Sequence, residues 1–302
     1  MVAALVDEGN KYTQQVTPST PAYAASGVRM EDAHAIRKGV GDSLVIAVAD
    51  GHGSIKLADG VFVGARECAD AACSVATRMA SSPGASSSQV FASCQAAAEA
   101  QLRAHPHTME DDGVLRVLSH GGRPTVPACG ATLSVAVLRP GRPSSFAWVG
   151  DSVGLLVRAD GSHLPLGHPH SVSDPSERAR MRAAGARVDG KYFEYRAHGS
   201  AMRIAIGRSI GHVGHSCIDS TPSVVTFVPQ PGDRVVVATD GLWDVCTRSR
   251  AAALVSSAPT EAQACESLMT LSRSSPSPRD NSTVVCAFVD SPRAEEACCS
   301  IS

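Results

Sequence analysis

The sequence lacks the features that would place the chain in a membrane or on nucleic acid. It has no apolar run of membrane-spanning length. It has no block of lysine and arginine, and its formal net charge is −2, so nothing favours contact with a phosphate backbone. The first residues, MVAALVDEGNKYTQQ, lack the basic segment and long apolar core of a secretory signal. We therefore expect no transmembrane span, no nucleic-acid partner and no leader.

Paired cysteine motifs are also missing. None of the ten cysteines forms C-x-x-C, and most lie singly in apolar segments, as Cys246 and Cys286 do. This distribution favours buried thiols in a reducing compartment over a disulfide framework. The sequence therefore predicts a cytoplasmic protein.

The chain does contain enough apolar residues for a sizeable core. Hydrophobic residues make up 43% and charged residues 19% of its 302 residues, which are ordinary values for a globular protein and exclude disorder throughout. The first twenty residues are polar and without pattern. We expect a flexible tail over residues 1–20, a single domain over residues 21–290 and a C-terminal tail over residues 291–302.

Short apolar segments predict an antiparallel sheet rather than a β-α-β chain. Pro-Gly and Asp-Gly turns stand between or after them, and their close spacing is typical of a meander. The segments are residues 131–138, 145–149 and 154–158. Apolar residues at helical spacing predict a pair of helices over residues 55–79 and 89–104.

Other stretches predict a capped helix and two irregular segments. Asp174, Pro175 and Glu177 suit the N-cap and the first and third positions of a helix. Residues 105–127 are rich in proline and glycine and predict a surface excursion. Residues 186–221 are rich in glycine and histidine and predict a mobile flap.

Acidic residues stand at the ends of five predicted strands. Asp50, Asp151 and Asp240 each adjoin a glycine beside an apolar strand, Asp280 precedes the last strand, and Glu31 closes another. Asp-Gly is also the commonest hairpin turn, so any one of these acids alone fits a turn as well as a site. Five of them at the ends of buried strands favour a site.

A cluster of carboxylates calls for cations. Packed together without one, carboxylates repel and raise each other's pKa. Glu31, Asp50, Asp240 and Asp280 carry four negative charges, which two divalent cations would balance, and oxygen ligands favour Mg²⁺ or Mn²⁺ over zinc. Two such ions can activate a water for in-line attack on phosphorus. The pattern thus favours phosphoester hydrolysis without a covalent nucleophile.

Six motifs resemble those of one known family. They are RMEDAH, VADGHGS, CGATLSVAVL, WVGDS, ATDGLWDV and RDNSTVV. Their order and relative positions, from about Ala22 to Asp290, are similar to those of the metal-dependent, type 2C serine/threonine protein phosphatases. The resemblance implies an α+β fold, a four-layer α/β/β/α sandwich of two mostly antiparallel sheets flanked by helices. It also implies an enzyme that acts on phosphoserine and phosphothreonine in proteins.

The resemblance further implies the roles of individual residues at a site for Mg²⁺ or Mn²⁺. Asp50 would bridge two ions, and Asp151 would hold a weaker third. The ligands would be Glu31, Asp50, Gly51 through its carbonyl, Asp151, Asp240 and Asp280. His52 would be the acid that protonates the leaving oxygen, which suits an imidazole near neutral pH. The positions that support the site would be Asp32, Thr132 and Asn281.

Three positions depart from the family's pattern. The arginine that grips the substrate phosphate lies four residues before the glutamate, where this chain has Gly27. Arg29 is the nearest arginine, and since residues i and i+2 of a strand point to the same face, it would bind phosphate from about 7 Å along. This chain has Val153 where the family often has an arginine, and His212 where the family usually has an aspartate. These two differences would alter the third metal site or the choice of substrate.

Other interpretations rest on single features. Gly150–Gly154 matches the G-x-S-x-G elbow of α/β-hydrolases, but a strand is predicted after Ser152 where the elbow needs a helix. No cysteine has an arginine six positions later, as a cysteine-based phosphatase requires. Two histidine pairs lie beside prolines and lack a second ligand pair for zinc. A pseudophosphatase that acts as a binding module remains an alternative, because the phosphate-binding arginine is displaced.

The C-terminus suggests a lipid anchor. Its last four residues begin at Cys299 and fit a prenylation box of the farnesyl type, and the preceding Cys298 could be acylated. One lipid holds a protein to a membrane only marginally, so the second cysteine would matter. The alternative is a frayed tail with chance cysteines. We thus expect a monomer with phosphoprotein substrates, held to a membrane only if Cys299 and Cys298 are lipidated.

Overall fold

The computed structural model of the chain describes residues 2–7, 30–57, 62–275 and 280–290. The helices are α1 (Ala65–Ala80), α2 (Ser87–Arg103), α3 (Pro175–Ala183), α4 (Asp240–Trp243), α5 (Arg248–Ser257) and α6 (Glu261–Arg273). The strands are β1 (Val2–Asp7), β2 (Ala33–Lys38), β3 (Leu44–Ala49), β4 (Gly51–His52), β5 (Ile55–Lys56), β6 (Phe62–Val63), β7 (Thr108–Asp111), β8 (Val114–Leu118), β9 (Pro124–Thr125), β10 (Gly130–Ala131), β11 (Leu133–Leu138), β12 (Ser144–Val149), β13 (Val153–Val157), β14 (His163–Leu166), β15 (Arg187–Asp189), β16 (Tyr192–Ala197), β17 (Ser200–Ile204), β18 (Ile210–Gly211), β19 (Ser223–Phe227), β20 (Arg234–Ala238) and β21 (Ser282–Phe288). Within these ranges no helix is long and apolar enough to cross a membrane.

Two five-stranded antiparallel sheets form the centre of the molecule. The first sheet has the strand order β1-β21-β20-β13-β14, and the second has the order β19-β12-β11-β3-β2. The strands alternate their side chains between two apolar faces, as a period of two requires. In β3, Ile46 and Val48 pack between the sheets against residues such as Val237 of β20, whereas Val45 and Ala47 face the helices. The sequence of β3 is apolar throughout because both its faces are buried.

One helix pair covers the outer face of each sheet. Helices α1 and α2 lie on the second sheet, where small residues such as Ala69 and Cys94 allow close packing. Helices α5 and α6 lie on the first sheet, where α6 packs on strands β1 and β21, and Leu268 and Met269 belong to the apolar cluster between helices and sheet. The four layers are therefore helix, sheet, sheet, helix, and the predicted α/β/β/α sandwich is confirmed.

The predicted meander is wrong at its third strand. Strands β11 and β12 pair in the second sheet, but β13 pairs with β20 and β14 in the first. The chain crosses between the sheets at Gly150, whose φ of 90° lies in a region that other residues rarely adopt. Local patterning specifies strands but not their partners, so the crossing was not visible in the spacing.

The N-terminal tail was also predicted wrongly in part. Residues 2–7 form strand β1 at the edge of the first sheet, with Val2 opposite Ala287 and Asp7 opposite Ser282. The apolar start of the chain pairs with the last strand, which is a contact across nearly the whole sequence. Residues 8–20 and 291–302 of the two predicted tails lie outside the described residues.

Besides the two central sheets and the two-stranded sheet β5-β6, the described residues form three sheets of three strands each. The proline- and glycine-rich excursion contains the sheet β7-β8-β9, and the predicted flap contains the sheet β15-β16-β17. The third small sheet, β18-β10-β4, joins segments that are distant in sequence. Apart from β16, which has six residues, their strands have two to five residues, so most of them are too short for apolar periodicity to reveal them.

The helix predictions hold with one displaced boundary. Asp174 caps α3, and its carboxylate accepts hydrogen bonds from the backbone of Ser176 at 2.8 Å and Glu177 at 3.4 Å. Helix α2 begins at Ser87, directly after its N-cap Ser86 and close to the predicted start at residue 89. Helix α1 begins at Ala65 instead of residue 55, because strands β5 and β6 occupy part of the intervening chain.

The described cysteines are free, buried thiols, as predicted. They are Cys68, Cys73, Cys94, Cys129, Cys217, Cys246, Cys265 and Cys286. Cys298 and Cys299 lie outside the described residues.

Candidate active site

The five predicted carboxylates line one cavity of about 440 Å³ at an edge of the sandwich. Asp50 follows β3, and Asp151 lies where the chain crosses between the sheets. Asp240 begins the short helix α4 just after β20, and Asp280 stands two residues before β21. Glu31 precedes β2, whereas the prediction had it closing a strand. Both sheets therefore contribute carboxylates to the same space.

Backbone hydrogen bonds from the predicted supporting residues hold this arrangement together. Thr132 Oγ1 accepts from the Asp50 amide at 2.9 Å, and the Thr132 amide donates to the Asp50 carbonyl at 2.8 Å. Asn281 Oδ1 accepts from the Glu31 amide at 2.8 Å. The Gly51 amide donates to the Glu31 carbonyl at 3.2 Å. The bonds tie β3, β10 and β21 to one another around the cavity.

Asp32 is a buried carboxylate behind the cavity wall. Its side chain is 1% exposed, and Thr239 donates to its Oδ2 at 2.8 Å, whereas its Oδ1 has no hydrogen-bond partner. Burial raises the pKa of Asp32 to about 7, and the bond from Thr239 offsets only part of that shift. Asp280 raises the pKa further through its charge. The buried carboxyl group of Asp32 therefore bonds to Thr239, the residue that precedes Asp240 of the cavity.

The carboxylates of the cavity destabilise one another's charged forms. Burial raises the pKa of Asp50 well above its usual range, and the charges of Asp32, Asp240 and Asp280 add to the shift. Burial likewise raises the pKa of Asp240, with Asp151 as the strongest neighbouring charge. One oxygen of Asp240, Oδ1, is buried without a hydrogen-bond partner. These are the properties of acids whose negative charge the protein itself does not neutralise.

The donor set suits a hard divalent cation, although its atoms do not converge on one point. Among the residues that the structure describes, no three His, Cys, Asp or Glu side chains are grouped closely enough to hold a metal ion. The cavity nevertheless offers carboxylate oxygens, which Mg²⁺ and Mn²⁺ prefer, and the unpartnered Oδ1 of Asp240. The chemistry of the donors thus fits these ions.

His52 lies in the same cavity, on strand β4. Its Nε2 lies 2.8 Å from Nε2 of His212 and 3.3 Å from Oγ of Ser209. The sheet β18-β10-β4 brings these residues together, with Gly130 of β10 opposite both His52 and Gly211. The His52 ring therefore stands beside the carboxylates, and its Nε2 is bonded to the His212 ring.

The opposite wall of the cavity comes from the hairpin β16-β17 and was missed in the sequence. Tyr192, Met202 and Arg203 line it, and the guanidinium of Arg203 lies 4.0 Å from the centre of the Tyr192 ring. Arg203 is the one cation among the described residues that line the cavity. Its ion pairs to Asp189 at 3.5 Å and Glu194 at 3.7 Å are long. Only the hairpin, a tertiary feature, brings these residues to the acids.

Two predictions at the site have different outcomes. Arg29 and Gly27 lie outside the described residues, so phosphate binding by Arg29 stays a prediction. The hydrolase elbow is excluded, because Ser152 is fully buried and bonds to Thr132 at 2.7 Å, and strand β13 follows it.

Comparison with known proteins agrees with the fold and the motifs. Residues 24–278 match the family Protein phosphatase 2C. The chain belongs to this family. The resemblance drawn from six motifs is therefore confirmed.

Relatives in the family match parts of the chain. It is 34% identical over 149 residues to "Probable protein phosphatase 2C 78" of Arabidopsis thaliana, which covers 48% of this chain and 34% of the relative. It is 28% identical over 166 residues to a "Protein kinase and PP2C-like domain-containing protein" of Oryza sativa subsp. japonica, over 54% of this chain and 24% of the relative. The matches thus span about a quarter to a third of these relatives' own length.

Solved structures of phosphatases share the fold. Serine-threonine phosphatase 2C from Toxoplasma gondii superimposes with a TM-score of 0.67 and 16% identity, over 95% of this chain and 94% of that one. The S. agalactiae serine/threonine phosphatase gives a TM-score of 0.60 and 18% identity, over 96% and 99% of the two chains. The similarity extends over nearly all of both folds.

Proposed function

We propose that this chain is a Mg²⁺- or Mn²⁺-dependent phosphatase of phosphoserine and phosphothreonine in proteins. The observation that carries the proposal is a set of five carboxylates, contributed by both sheets, along one cavity. Asp50 and Asp240 resist ionisation there, because burial and neighbouring carboxylates raise their pKa. Membership of the protein phosphatase 2C family supports the same function.

The carboxylates would hold two ions, with a weaker third at Asp151. Asp50, the Gly51 carbonyl, Glu31, Asp240 and Asp280 would hold the two ions, as the family resemblance implies. When bound, the ions would supply an activated water and would offset the charge of the phosphate. Bound cations would also stabilise the folded protein, because they relieve the repulsion between the carboxylates.

His52 and two arginines would act on the substrate. His52 would give a proton to the serine or threonine oxygen as the bond from phosphorus to that oxygen breaks. Arg29 would hold the phosphate. Arg203, on the facing wall, adds a positive group that attracts phosphate into an otherwise acidic cavity.

A peptide assay tests the proposal. The full chain should hydrolyse a phosphothreonine peptide only with Mn²⁺ or Mg²⁺, and Asp50→Asn and Asp240→Asn should each lower kcat/KM by at least about 100-fold. Asp160→Asn makes the same chemical change in an exposed turn and should leave kcat/KM unaltered.

Two results would contradict this function. Activity without a divalent ion, or activity undiminished in both site variants, would refute the metal mechanism. A folded wild-type chain that binds the phosphopeptide without hydrolysing it would instead favour the pseudophosphatase, a binding module.

We also propose that the protein is a cytoplasmic monomer that reaches membranes through lipids on Cys299 and Cys298. The lipids are supported by the sequence Cys299-Ser300-Ile301-Ser302, and the cytoplasmic location by the free, buried thiols. Metabolic labelling with a prenyl analogue should mark the wild type and not Cys299→Ser. An unlabelled wild-type chain would contradict the anchor.

A further inference from the structure

A second histidine, His212, is bonded directly to His52. The two Nε2 atoms lie 2.8 Å apart, and the rings stack with their centres 5.0 Å apart and their planes 26° from parallel. His212 is 3% exposed, so its ring is almost wholly enclosed by protein. A bond between two ring nitrogens requires one of them to carry the hydrogen. Each ring therefore constrains the protonation and the orientation of the other.

The fold builds a specific place for the His212 ring. A Cβ on Gly130 would lie 2.6 Å from Cδ2 and 2.9 Å from Nε2 of His212, so only glycine leaves room for the ring. The side chain of Gln95 in helix α2 fixes the backbone of Gly211, the residue before His212. It accepts a hydrogen bond from the Gly211 amide at 2.8 Å and donates one to the Gly211 carbonyl at 3.0 Å. The backbone of His212 has φ of 52°, a sparsely populated region for a non-glycine residue.

Burial keeps the His212 ring neutral. It lowers the pKa of His212 well below its usual range, and the neighbouring rings of His52 and His215 lower it further. Nδ1 of His212 has no hydrogen-bond partner, so the bond to His52 is the polar contact that its side chain makes. An enclosed histidine in a strained backbone conformation, with that one bond, resembles the orienting partner of a catalytic base or acid.

We propose that His212 is a positioning residue for His52: its bond at Nε2 fixes the plane of the His52 ring and directs the other ring nitrogen toward the substrate's leaving oxygen. The inference rests on the proposed phosphatase function. His212 lines the same cavity as the acids, and in this proposal it acts on the reaction through its bond to His52. Ser209 Oγ, 3.3 Å from the same nitrogen, adds a second contact.

The inference predicts which substrates depend on His212. A serine or threonine oxygen leaves poorly unless it receives a proton, whereas p-nitrophenolate leaves readily without one. Misplacing the His52 ring should therefore slow the peptide reaction and spare the aryl ester. A residue that merely supported the fold would affect both substrates alike.

Two variants of His212 carry the same amide group on side chains of different length, so they test whether the side chain must extend to His52. His212→Gln places an amide nitrogen near the position of Nε2, whereas His212→Asn ends short of His52 and tolerates the positive φ. With Mn²⁺ and the full chain, His212→Asn should lower kcat for a phosphothreonine peptide at least about tenfold and kcat for p-nitrophenyl phosphate less than about threefold. His212→Gln should recover most of the lost rate.

His215 supplies the matched control. It is equally buried, its ring lies edge-on to His212 with centres 6.3 Å apart, and neither of its ring nitrogens has a hydrogen-bond partner. His215→Asn should leave the ratio of the two kcat values as in the wild type. Adding His212→Asn to His52→Gln should cost no further activity on the peptide, because the first residue acts only through the second.

The outcomes distinguish the two claims. A wild-type chain without Mn²⁺-dependent activity on either substrate would refute the proposed function and this inference with it. An active wild type whose His212→Asn variant loses both activities equally, or neither, would overturn the inference alone. If the His212→Asn variant keeps its activity on p-nitrophenyl phosphate, the variant is folded. Should His212→Asn unfold, His212→Gly repeats the test without cost at positive φ.

Discussion

The buried carboxylate of Glu177 and the buried carboxylates at the cavity differ in whether arginines neutralise their charge. Glu177 of α3 is 1% exposed, and both its oxygens receive hydrogen bonds from arginines, Arg208 at 2.7 Å and Arg180 at 2.8 Å. Asp32 is just as buried, yet one of its oxygens has no partner. None of the arginines and lysines that the structure describes pairs with Asp32, Asp50 or Asp240.

The pKa values follow this difference. Burial by itself would raise the pKa of Glu177, but the hydrogen bonds from Arg208 and Arg180 lower it below its usual value. At the cavity, burial and like charges act together and raise the pKa of Asp50 and Asp240. The chain can neutralise a buried acid with its own arginines, as it does at Glu177. Asp50 and Asp240, by contrast, have no arginine or lysine partner among the described residues, which favours an external cation and supports the proposed metal site.

Removing the structural carboxylate should have the largest effect on stability. Glu177→Gln leaves Arg180 and Arg208 without their negative partner, so the free energy of unfolding should fall by about 3 kcal/mol. Urea unfolding measures this loss. Glu194→Gln is the control, because its exposed ion pairs at 3.7 Å contribute little. Equal stabilities of the two variants would contradict the assigned role of Glu177.

Mn²⁺ should stabilise the folded chain through the cavity acids. At a concentration about 100 times its Kd, a ligand that binds only the folded state adds about 2.7 kcal/mol. Thermal unfolding of the wild type should therefore shift upward with Mn²⁺, and Asp240→Asn should remove most of the shift. Glu177→Gln should keep it, since that carboxylate is already paired. A shift that survives Asp240→Asn would place the ion elsewhere.

The two groups should also give the stability opposite dependences on pH. Asp32, with its pKa raised from 3.8 to about 7, binds its proton more tightly when folded, so its contribution falls as pH rises from about 4 to about 7. Glu177, with its lowered pKa, contributes stability that is lost as pH falls. Melting curves in EDTA should therefore show a loss of stability toward neutral pH that Asp32→Asn reduces, while the raised pKa values of Asp50 and Asp240 maintain the remainder. A metal-free chain whose stability rises steadily to pH 7 would contradict the raised pKa.

The smallest expected effect concerns the substrate phosphate. Arg29→Ala should raise KM for a phosphothreonine peptide about tenfold, equivalent to about 1.4 kcal/mol of binding, with kcat changed little. Steady-state kinetics with Mn²⁺ separate the two constants. Arg203→Ala provides the comparison from the facing wall of the cavity. An unchanged KM in Arg29→Ala would show that another group holds the phosphate.

Much of the carboxylate site was predictable, because its pattern is local in sequence. Each of Asp50, Asp151, Asp240 and Asp280 adjoins an apolar strand, and strand ends can be identified from hydrophobic runs and glycine. The two-sided burial of β3 followed in the same way from its six apolar residues. The position of Glu31 was found correctly, but the strand next to it was placed on the wrong side.

The histidine pair and the hairpin wall were not predictable. His52 and His212 are 160 residues apart, and they meet only because strands β4 and β18 flank β10. Arg203 reaches the cavity through the small sheet β15-β16-β17, where the sequence indicated an irregular flap. Strands β4, β10 and β18 have two residues each and carry too few side chains to show a period. Strands β16 and β17 have six and five residues, but each mixes polar and apolar side chains.

The sequence by itself determined the family and the strand-end carboxylates, since these depend on residue type and local pattern. Tertiary structure decided which strands share a sheet, including the crossing at Gly150 and the edge strand Val2–Asp7. It also decided that Glu177 is paired with arginines while Asp32 is not. The physical reason is that burial and charge pairing depend on neighbours in space, which a chain acquires only when distant segments pack together.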